Sequence, residues 1–345
     1  MTQPPGAPTV AVIGAGQMGL VCAGILSGED GRASVRVWGH DPDEVGHIAQ
    51  TRRSDRLPGY TLPEAAFVHV RPGPALEGAK LIISAVPVQS TREAWTQLAP
   101  MVPDDAAIVS VAKGIEHRTE MRPTQIIADA LGHGPAGEGR GLAVLSGPTI
   151  AAELARCLPA TMISASTDPA LARLVQELFS TSWMRVYTHH DVLGVELAGA
   201  LKNVIAIAAG VLDGLGAGFN AKSALLARGL AEITRLGTAM GAEADTFFGI
   251  AGVGDLATTC FSPEGRNRSC GEALGQGESL ESYIKRSTMV VEGVSTTRAV
   301  VDLARTFGVD MPLVHAVNEV LFEGLDPLTA IGGLMSRELK AERLG

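Results

Sequence analysis

The sequence predicts an α/β domain with a doubly wound, mostly parallel sheet, followed by an all-helical domain. Before residue 188, short β-branched runs alternate with helical stretches and with Gly and Pro residues, as in strands joined by crossover helices. After residue 188, apolar residues recur at helical spacing. A chain of 345 residues is long enough for two such cores. We therefore expect a disordered leader at residues 1–8 and domains at residues 9–188 and 189–345.

The predicted strands and helices follow from the spacing of apolar residues. Several strand runs are apolar at every position, as strands buried on both faces of a parallel sheet are. The strand runs cover residues 10–13, 35–38, 81–86, 107–112, 142–145, 161–165 and 184–187. The helices of the second domain are predicted at residues 192–212, 221–240, 294–307 and 313–321. The first of them is apolar almost all round, which is typical of a helix in the core of its domain.

Composition and charge exclude several classes of protein. A formal net charge of −9 disfavours binding to nucleic acid or to an anionic membrane. No apolar run reaches the roughly 20 residues of a membrane-spanning helix without polar interruption, and the N-terminus lacks the pattern of a secretory signal. The cysteines form no C-x-x-C pair and the histidines show no ligand spacing, so we expect no metal and reduced thiols in the cytoplasm. These thiols are Cys22, Cys157, Cys260 and Cys270.

The first predicted strand runs into a glycine-rich turn and then a helix. Gly14 permits a tight turn, Gly16 lets the backbone approach a pyrophosphate, and Gly19 lets the helix pack on the strand. The N-terminus of the helix offers free N–H groups to phosphates. The G-x-G-x-x-G pattern is weak evidence alone, and an ordinary glycine-rich connection is the alternative. Because a second strand follows at the distance of a βαβ unit, we predict a Rossmann-type dinucleotide site.

The end of the second predicted strand bears on the choice of dinucleotide. A strict NAD enzyme usually carries Asp or Glu there to hold the ribose 2′-hydroxyl. Here the position is Gly39, followed by His40, with Arg52 and Arg53 downstream. NADP(H) should therefore be accepted as well as NAD(H). Asp41 is close enough in sequence to take the acidic role, so the choice between NAD(H) and NADP(H) stays open. For His40, the alternative is a solvated loop residue.

Polar residues follow two further predicted strands. Lys113 comes directly after the run at 107–112, and an SGPT motif that includes Gly147 and Thr149 follows the next strand. Open α/β sheets bind ligands outside the carboxyl ends of their strands. These residues are therefore candidates for ligand contact. A solvated loop lysine is the alternative for Lys113.

Lys202 lies inside a predicted helix that is otherwise nearly all apolar. Burying an unpaired ammonium is costly and lowers its pKa. A lysine in such a place is suited to general acid and base catalysis near neutral pH. A snorkelling or salt-bridged lysine is the alternative.

A glycine-rich segment further on carries an aspartate. Gly252 and Gly254 predict a sharp turn that presents Asp255 at a bend. If a helix follows, Thr259 lies one turn beyond on the same face. Arg266 has a planar guanidinium that suits a phosphate group. Taken singly, each of these polar residues is more typical of a solvated surface.

In order along the chain, these motifs resemble the bacterial form of the NAD(P)-dependent glycerol-3-phosphate dehydrogenase family. The resemblance covers residues 9–342. It rests on VIGAGQMG, VWGHD, VAKGIE, LSGPTIAAELA, ELAGALKNVIAIAAGVLDGLG, RGLAEITRLG, GVGDLATTC, GRNR and VVEG. It implies reversible hydride transfer between NAD(P)H and dihydroxyacetone phosphate, which gives glycerol 3-phosphate for phospholipid synthesis. It also implies a cytoplasmic homodimer, built through the helical domain, that acts on small molecules.

The resemblance implies roles for individual residues. Lys202 is the implied proton donor and acceptor at the substrate oxygen, in a catalytic network with Lys113, Asp255 and Thr259. The implied substrate contacts are Lys113, Gly147, Thr149, Lys202, Asn203, Asp255, Arg266 and Asn267. The implied cofactor contacts are Gly14, Gly16, Gln17, Met18, Gly19, His40, Lys113, Ala151, Arg266, Val290 and Glu292.

The chain departs from the family pattern at two places. Gln17 and Met18 stand where the family commonly has Ser and an aromatic residue, and Gly265 stands where it usually has Ser. Two other functions are considered. A two-domain dehydrogenase for a hydroxy acid or sugar acid would lack the GDLxxT segment followed by RN. A non-catalytic dinucleotide sensor would be indicated by loss of Lys202, Asp255 or Arg266, and all three are present.

Overall fold

A computed structural model describes residues 8–28, 32–287, 290–339 and 341 of the chain. By internal contacts the chain divides into two compact units. The first comprises the chain up to Ala112 together with Pro123–Val192, and the second comprises Lys113–Arg122 together with the chain from Leu193 onward. The domain boundary at residue 188 stays a prediction. Residues 1–7 of the expected leader lie outside the described residues.

The first unit is built on an eight-stranded sheet. Its strands are β1 Thr9–Ile13, β2 Ser34–Trp38, β3 Ala66–Val68, β4 Leu81–Ser84, β5 Ala107–Ser110, β6 Leu142–Ser146, β7 Ala160–Ala165 and β8 Met184–His189. They lie in the order β3-β2-β1-β4-β5-β6-β7-β8, and each pair of neighbours is parallel except β6 with β7. The predicted doubly wound, mostly parallel sheet is confirmed. Strand β3 was not predicted from the sequence, because three residues carry too little periodicity to be recognised as a strand.

Helices cover both faces of this sheet. They are α1 Gln17–Ser27, α2 Pro42–Thr51, α3 Pro72–Leu76, α4 Val88–Leu98, α5 Pro123–Ala130, α6 Ala151–Leu154 and α7 Pro169–Phe179. Along β1, Val10 and Val12 belong to one hydrophobic core, whereas Ala11 and Ile13 belong to another. Because successive side chains of a strand point to opposite faces, both faces of the sheet are buried. This explains why the strand runs are apolar throughout.

Among its described residues, the second unit contains helices and no strand. Its helices are α8 Val192–Gly214, α9 Gly218–Ala239, α10 Ala244–Phe248, α11 Asp255–Phe261, α12 Arg266–Gly275, α13 Leu280–Arg286, α14 Glu292–Thr306, α15 Pro312–Asn318 and α16 Pro327–Met335. Two π-helical turns occur at Ile250–Gly254 and Glu319–Glu323. The all-helical prediction for this part of the chain is confirmed. The helix predicted at 313–321 ends at Asn318 and continues into the second π-helical turn.

Helix α8 is the centre of the second unit. It is long and apolar enough to cross a membrane by length and composition, yet most of it is buried within the protein. Its apolar side chains contribute a large part of the single core cluster of this unit. A core helix of this kind explains an apolar surface all round.

Glycines bring α8 and α12 into backbone contact. A Cβ atom added to Gly210 of α8 would lie 1.9 Å from the carbonyl oxygen of Arg268. A Cβ atom added to Gly271 of α12 would lie 1.9 Å from the carbonyl oxygen of Ile207. No side chain fits at either distance. The first turn of α12, which carries Arg266 and the residue after it, is therefore fixed against the helix that carries Lys202.

Candidate active site

Two lysines share one aspartate in the second unit. Asp255 lies 2.8 Å from Lys202 Nζ through Oδ1 and 2.6 Å from Lys113 Nζ through Oδ2. Asp255 is 1% exposed and Lys202 is 6% exposed. Lys113 joins them because the segment Lys113–Arg122 belongs to this unit. Lys202 is therefore both buried, as expected of a catalytic lysine here, and salt-bridged, as the alternative proposed.

Thr259 completes this cluster. Lys202 Nζ donates to Thr259 Oγ1 at 2.5 Å. The Thr259 hydroxyl in turn lies 2.7 Å from the backbone carbonyl of Asp255 and 3.2 Å from its Oδ1. Both residues belong to α11, so the expected one-turn spacing on a helix is observed. Asp255 and Thr259 together orient the Lys202 ammonium.

The backbone before Asp255 differs from the predicted sharp bend. Ile250–Gly254 forms a π-helical turn that continues directly into α11, and both Gly254 and Asp255 have right-handed helical dihedral angles. The prediction of a bend is therefore wrong. Gly252 is needed for close packing against the backbone of Phe247 and not for a turn. A Cβ atom there would lie 2.0 Å from the carbonyl oxygen of Phe247.

A chain of amide groups lies beside the lysines. Asn203 Nδ2 donates to the carbonyl oxygen of Lys113 at 3.4 Å. Asn267 Nδ2 donates to Asn203 Oδ1 at 2.9 Å, and Asn267 Oδ1 accepts from the N–H of Gly293 at 2.9 Å. A Cβ atom on Gly293 would lie 2.7 Å from Asn267 Oδ1. These bonds tie the Lys113 segment, α8, α12 and the start of α14 together.

Arg266 is the first residue of α12 and is exposed. Its Nη1 donates to the carbonyl oxygen of Val290 at 3.4 Å. The carboxylate of Glu292, at the start of α14, interacts electrostatically with it. Gly265 is the N-cap of α12 and supplies no side-chain hydrogen bond, which is the consequence expected from the departure at this position.

Burial changes the acidity of Lys113. Loss of solvent contact lowers the pKa of Lys113 to about 8, against the raising effect of the Asp255 carboxylate and with a further lowering by the Lys202 charge. A lysine that titrates close to neutral pH is uncommon outside functional sites.

The glycine turn in the first unit has the geometry that a dinucleotide requires. Gly14 has a φ of +110°, and a Cβ atom there would lie 2.6 Å from the carbonyl oxygen of Ala85. A Cβ atom on Gly19 would lie 1.8 Å from the carbonyl oxygen of Gly14. The corresponding position at Gly16 has no atom within 4 Å, and no side chain caps α1. The open space and the uncapped helix N-terminus fit a pyrophosphate.

The neighbouring predicted cofactor residues lie in the first turn of α1 and just before α2. Gln17 Nε2 donates to the carbonyl oxygen of Arg56 at 2.5 Å. Met18 packs against a core cluster of the sheet. His40 is exposed, and Asp41 accepts hydrogen bonds from the first N–H groups of α2.

The SGPT motif follows β6 directly. Gly147 has a φ of +139° and accepts a hydrogen bond from Thr149 Oγ1 at 3.2 Å. The helix expected after the motif is α6, which begins at Ala151 and has four residues. Ala151 packs against the same core cluster as Met18. Their contacts with substrate or cofactor stay predictions.

Comparison with known proteins identifies the family. The model of the NAD-dependent glycerol-3-phosphate dehydrogenase N-terminus matches residues 9–172, and that of the C-terminus of the same dehydrogenase matches residues 191–332. The chain belongs to the NAD-dependent glycerol-3-phosphate dehydrogenase family. The resemblance predicted from the motifs is confirmed.

Individual members of the glycerol-3-phosphate dehydrogenase family match nearly the whole chain. The glycerol-3-phosphate dehydrogenase [NAD(P)+] of Chlorobium phaeobacteroides is 44% identical over 96% of this chain and 98% of its own length. That of Geobacillus kaustophilus is 42% identical over 96% of each chain. The crystal structure of glycerol-3-phosphate dehydrogenase from Coxiella burnetii has a TM-score of 0.89 at 34% identity, over 95% of this chain and 98% of that one.

Sequence reasoning missed a buried ion pair in this dehydrogenase family member. Glu196 of α8 has a fully buried side chain and pairs with Arg122. The pair anchors the segment that begins with Lys113 to α8. Glu196, like Lys202, is a charged residue within a helix that is otherwise nearly all apolar, so the argument applied to Lys202 would have found it.

A second charged cluster was also missed. Lys222 Nζ donates to Asp213 Oδ1 at 2.8 Å and to Asp213 Oδ2 at 2.7 Å. Asp213 also pairs with Arg268. Arg268 Nη2 lies 3.0 Å from Glu272 Oε2, and its Nε donates to the carbonyl oxygen of Ser262 at 2.9 Å. The cluster holds the segment between α11 and α12, and therefore the start of the helix that carries Arg266. The sequence feature that could have revealed this cluster is Arg268, the second arginine of the GRNR motif.

Among the residues that the structure describes, no group of three His, Cys, Asp or Glu side chains could hold a metal ion. All four cysteines are free thiols, and Cys157 is the exposed one. The absence of a metal from the reaction stays a prediction.

Proposed function

We propose that this chain catalyses the reversible interconversion of dihydroxyacetone phosphate and glycerol 3-phosphate, with Lys202 as the proton donor and acceptor. The observation that carries the proposal is the buried cluster of Lys202, Asp255 and Thr259 with Lys113, in a chain of the glycerol-3-phosphate dehydrogenase family. The product is a precursor of phospholipids. A nicotinamide dinucleotide, either NAD(H) or NADP(H), supplies or accepts the hydride when it is bound.

The geometry of Lys202 suits proton transfer. An ammonium group has three N–H donors, and Lys202 directs two of them to Asp255 and Thr259. The third serves the substrate oxygen. During reduction of the carbonyl group, the positive charges of Lys202 and Lys113 stabilise the developing oxyanion, and Lys202 gives it a proton. During oxidation of the alcohol, neutral Lys202 accepts the hydroxyl proton.

The remaining roles concern binding. Arg266 and Asn267 hold the substrate phosphate, and Asn203 keeps Asn267 aligned through their amide bond. Gly147 and Thr149 contact the substrate. The dinucleotide phosphates lie at Gly14, Gly16 and Gly19. The other proposed cofactor contacts are Gln17, Met18, His40, Lys113, Ala151, Arg266, Val290 and Glu292.

The test is dependence on the substrate phosphate. We expect oxidation of NADH or NADPH with dihydroxyacetone phosphate and almost none with dihydroxyacetone. Arg266→Ala should raise the KM for the phosphorylated substrate by about 10- to 100-fold, because charge-assisted hydrogen bonds are lost. Arg305→Ala, which removes an exposed arginine of the same unit, is the matched control and should change nothing. Equal rates with the two ketones would refute the substrate assignment.

The pKa of Lys113 predicts how substrate binding depends on pH. A group with a pKa of about 8 loses its charge as the pH rises past that value, so kcat/KM for dihydroxyacetone phosphate should fall above about pH 8. In Lys113→Arg the fall should move to higher pH, because a guanidinium does not titrate in this range. Profiles of kcat/KM from pH 6 to 10 for both proteins check this. An unchanged profile in the variant would show that another group titrates.

We further propose a homodimer in the cytoplasm that involves neither nucleic acid nor membrane insertion and requires no metal. Free thiols and the net charge of −9 support this environment. Light scattering after size-exclusion chromatography measures the oligomeric state, and activity after treatment with a chelator tests the need for metal.

A further inference from the structure

The loop between α2 and β3 is closed at its base by Arg52. This residue ends α2 with a φ of +62°, and its carbonyl oxygen accepts a hydrogen bond from the N–H of Leu62 at 2.8 Å. Its guanidinium donates to the carbonyl oxygens of Leu62, Pro63 and Ala66. Arg52 is thus a structural clamp, and its guanidinium is committed to the loop itself.

The same loop is held beside the glycine turn by Arg56. Its carbonyl oxygen accepts the hydrogen bond from Gln17 Nε2, at the first turn of α1. Its Nε lies 2.6 Å from Glu44 Oε1, at the first turn of α2. Arg56 therefore links the two helices that follow β1 and β2. In a dinucleotide fold of this class the adenosine ribose lies at the end of the second strand, next to these two first turns.

Neither Gly39 nor Asp41, the two positions at the end of β2 considered for this role, provides a carboxylate for the ribose 2′-hydroxyl. Gly39 cannot be replaced by an acidic residue, because a Cβ atom would lie 2.8 Å from Ala15 Cβ and 2.9 Å from Val45 Cγ2. The side chain of Asp41 accepts from the N–H groups of Asp43 and Glu44 at 3.0 and 3.2 Å. It is the N-cap of α2, and swinging it to the ribose would break that cap.

We propose that Arg56 binds the 2′-phosphate of NADPH, so that this chain prefers NADPH to NADH. The inference rests on the proposed function and narrows its cofactor. The side chain of Arg56 is 55% exposed. Because the ion pair with Glu44 uses Nε, the two terminal nitrogens supply four N–H donors for a phosphate. Glu44 fixes the direction of the guanidinium, and Gln17 fixes the loop.

The departure at Gln17 belongs to this arrangement. The family commonly has serine there, and a serine side chain is too short to reach the carbonyl oxygen of Arg56. Gln17→Ser should therefore release the loop and reduce the preference for NADPH, although it leaves every arginine in place.

The experiment measures binding without turnover. Isothermal titration of the purified protein with NADPH, NADH, 2′,5′-ADP and 5′-AMP gives four dissociation constants at one fixed ionic strength. We expect Arg56→Ala to weaken NADPH and 2′,5′-ADP by about 10- to 100-fold. NADH and 5′-AMP should change by less than about twofold, and Arg56→Lys should lie between the wild type and Arg56→Ala. Arg53→Ala is the matched control, since Arg53 is an exposed arginine of the same loop.

The outcomes separate this inference from the proposed function. Selective weakening of the 2′-phosphorylated ligands in Arg56→Ala, absent in Arg53→Ala, supports the assignment. Equal weakening of all four ligands, or equal effects of the two variants, overturns it, because loop structure or bulk charge would then explain the result. Wild type that binds NADH as tightly as NADPH also overturns it and leaves the proposed function intact. A chain that binds neither dinucleotide refutes both.

Discussion

Lys202→Ala is expected to lower kcat/KM for dihydroxyacetone phosphate by about 10⁴-fold. The variant loses the group that we propose to protonate the substrate oxygen and one of the two charges that stabilise it. Asp255 keeps its partner Lys113 at 2.6 Å, so no carboxylate is left buried and unpaired. The fold should therefore survive, and the dinucleotide, whose glycine turn lies in the first unit, should bind with unchanged affinity.

Steady-state kinetics and dinucleotide titration on the same preparation check this expectation. Lys222→Ala is the matched control, because Lys222 is another buried lysine of the second unit that pairs with an aspartate. It should lower stability but keep kcat/KM within about tenfold of the wild type, since structural losses alone do not remove acid catalysis. Near-normal turnover of Lys202→Ala would exclude Lys202 as the proton donor. Loss of dinucleotide binding would mean that the substitution perturbs more than this cluster.

The order of strands and helices could be predicted because local patterns determine it. Strands buried on both faces read as continuous apolar runs, and α8 reads as an apolar helix, so the change from α/β to helical is visible in the sequence. β3 could not be found in this way, because three residues paired with β2 have no periodicity of their own. Its existence depends on a neighbour that lies far away in the sequence.

The candidate site shows the same division. Lys202 is conspicuous because a charge is rare in an apolar helix, and Thr259 follows from helical spacing relative to Asp255. That Lys113 shares this aspartate could not be read from the residues alone, because 142 positions separate them. The role of Gly252 was misread for a related reason. A glycine needed for packing against Phe247 looks identical in sequence to one needed for a turn.

The contact between Gln17 and Arg56 could not be predicted from the sequence either. Gln17 stood out as a departure from the family, but its partner belongs to a loop whose course is set by the carbonyl contacts of Arg52. The sequence drew attention to Arg52 and Arg53 as possible cations near the ribose. The structure commits Arg52 to the loop and brings Arg56 to the first turns of α1 and α2 instead.

Asp255→Asn is expected to damage both stability and catalysis. The carboxylate is the shared partner of two ammonium groups, and an amide of the same shape leaves both charges buried without a counterion. Breaking a buried pair by removing one partner costs about 3–5 kcal/mol of the free energy of unfolding. We also expect kcat/KM to fall by about 10³-fold, because Lys202 loses the group that orients it.

The pH dependence of this loss identifies its cause. Asp255 raises the pKa of Lys113, so its removal lowers that pKa further below the value of 10.5 in the unfolded chain. Between the two values the unfolded state binds more protons than the folded state, and stability therefore rises with pH. The difference in the free energy of unfolding between wild type and Asp255→Asn, measured by urea denaturation, should decrease from pH 7 to pH 9.5. The reason is that a neutral Lys113 no longer repels Lys202. Asp302→Asn, which breaks a surface ion pair, should cost less than about 1 kcal/mol at either pH. A gap that is constant or widens with pH would mean that charge repulsion between the lysines is not what destabilises Asp255→Asn.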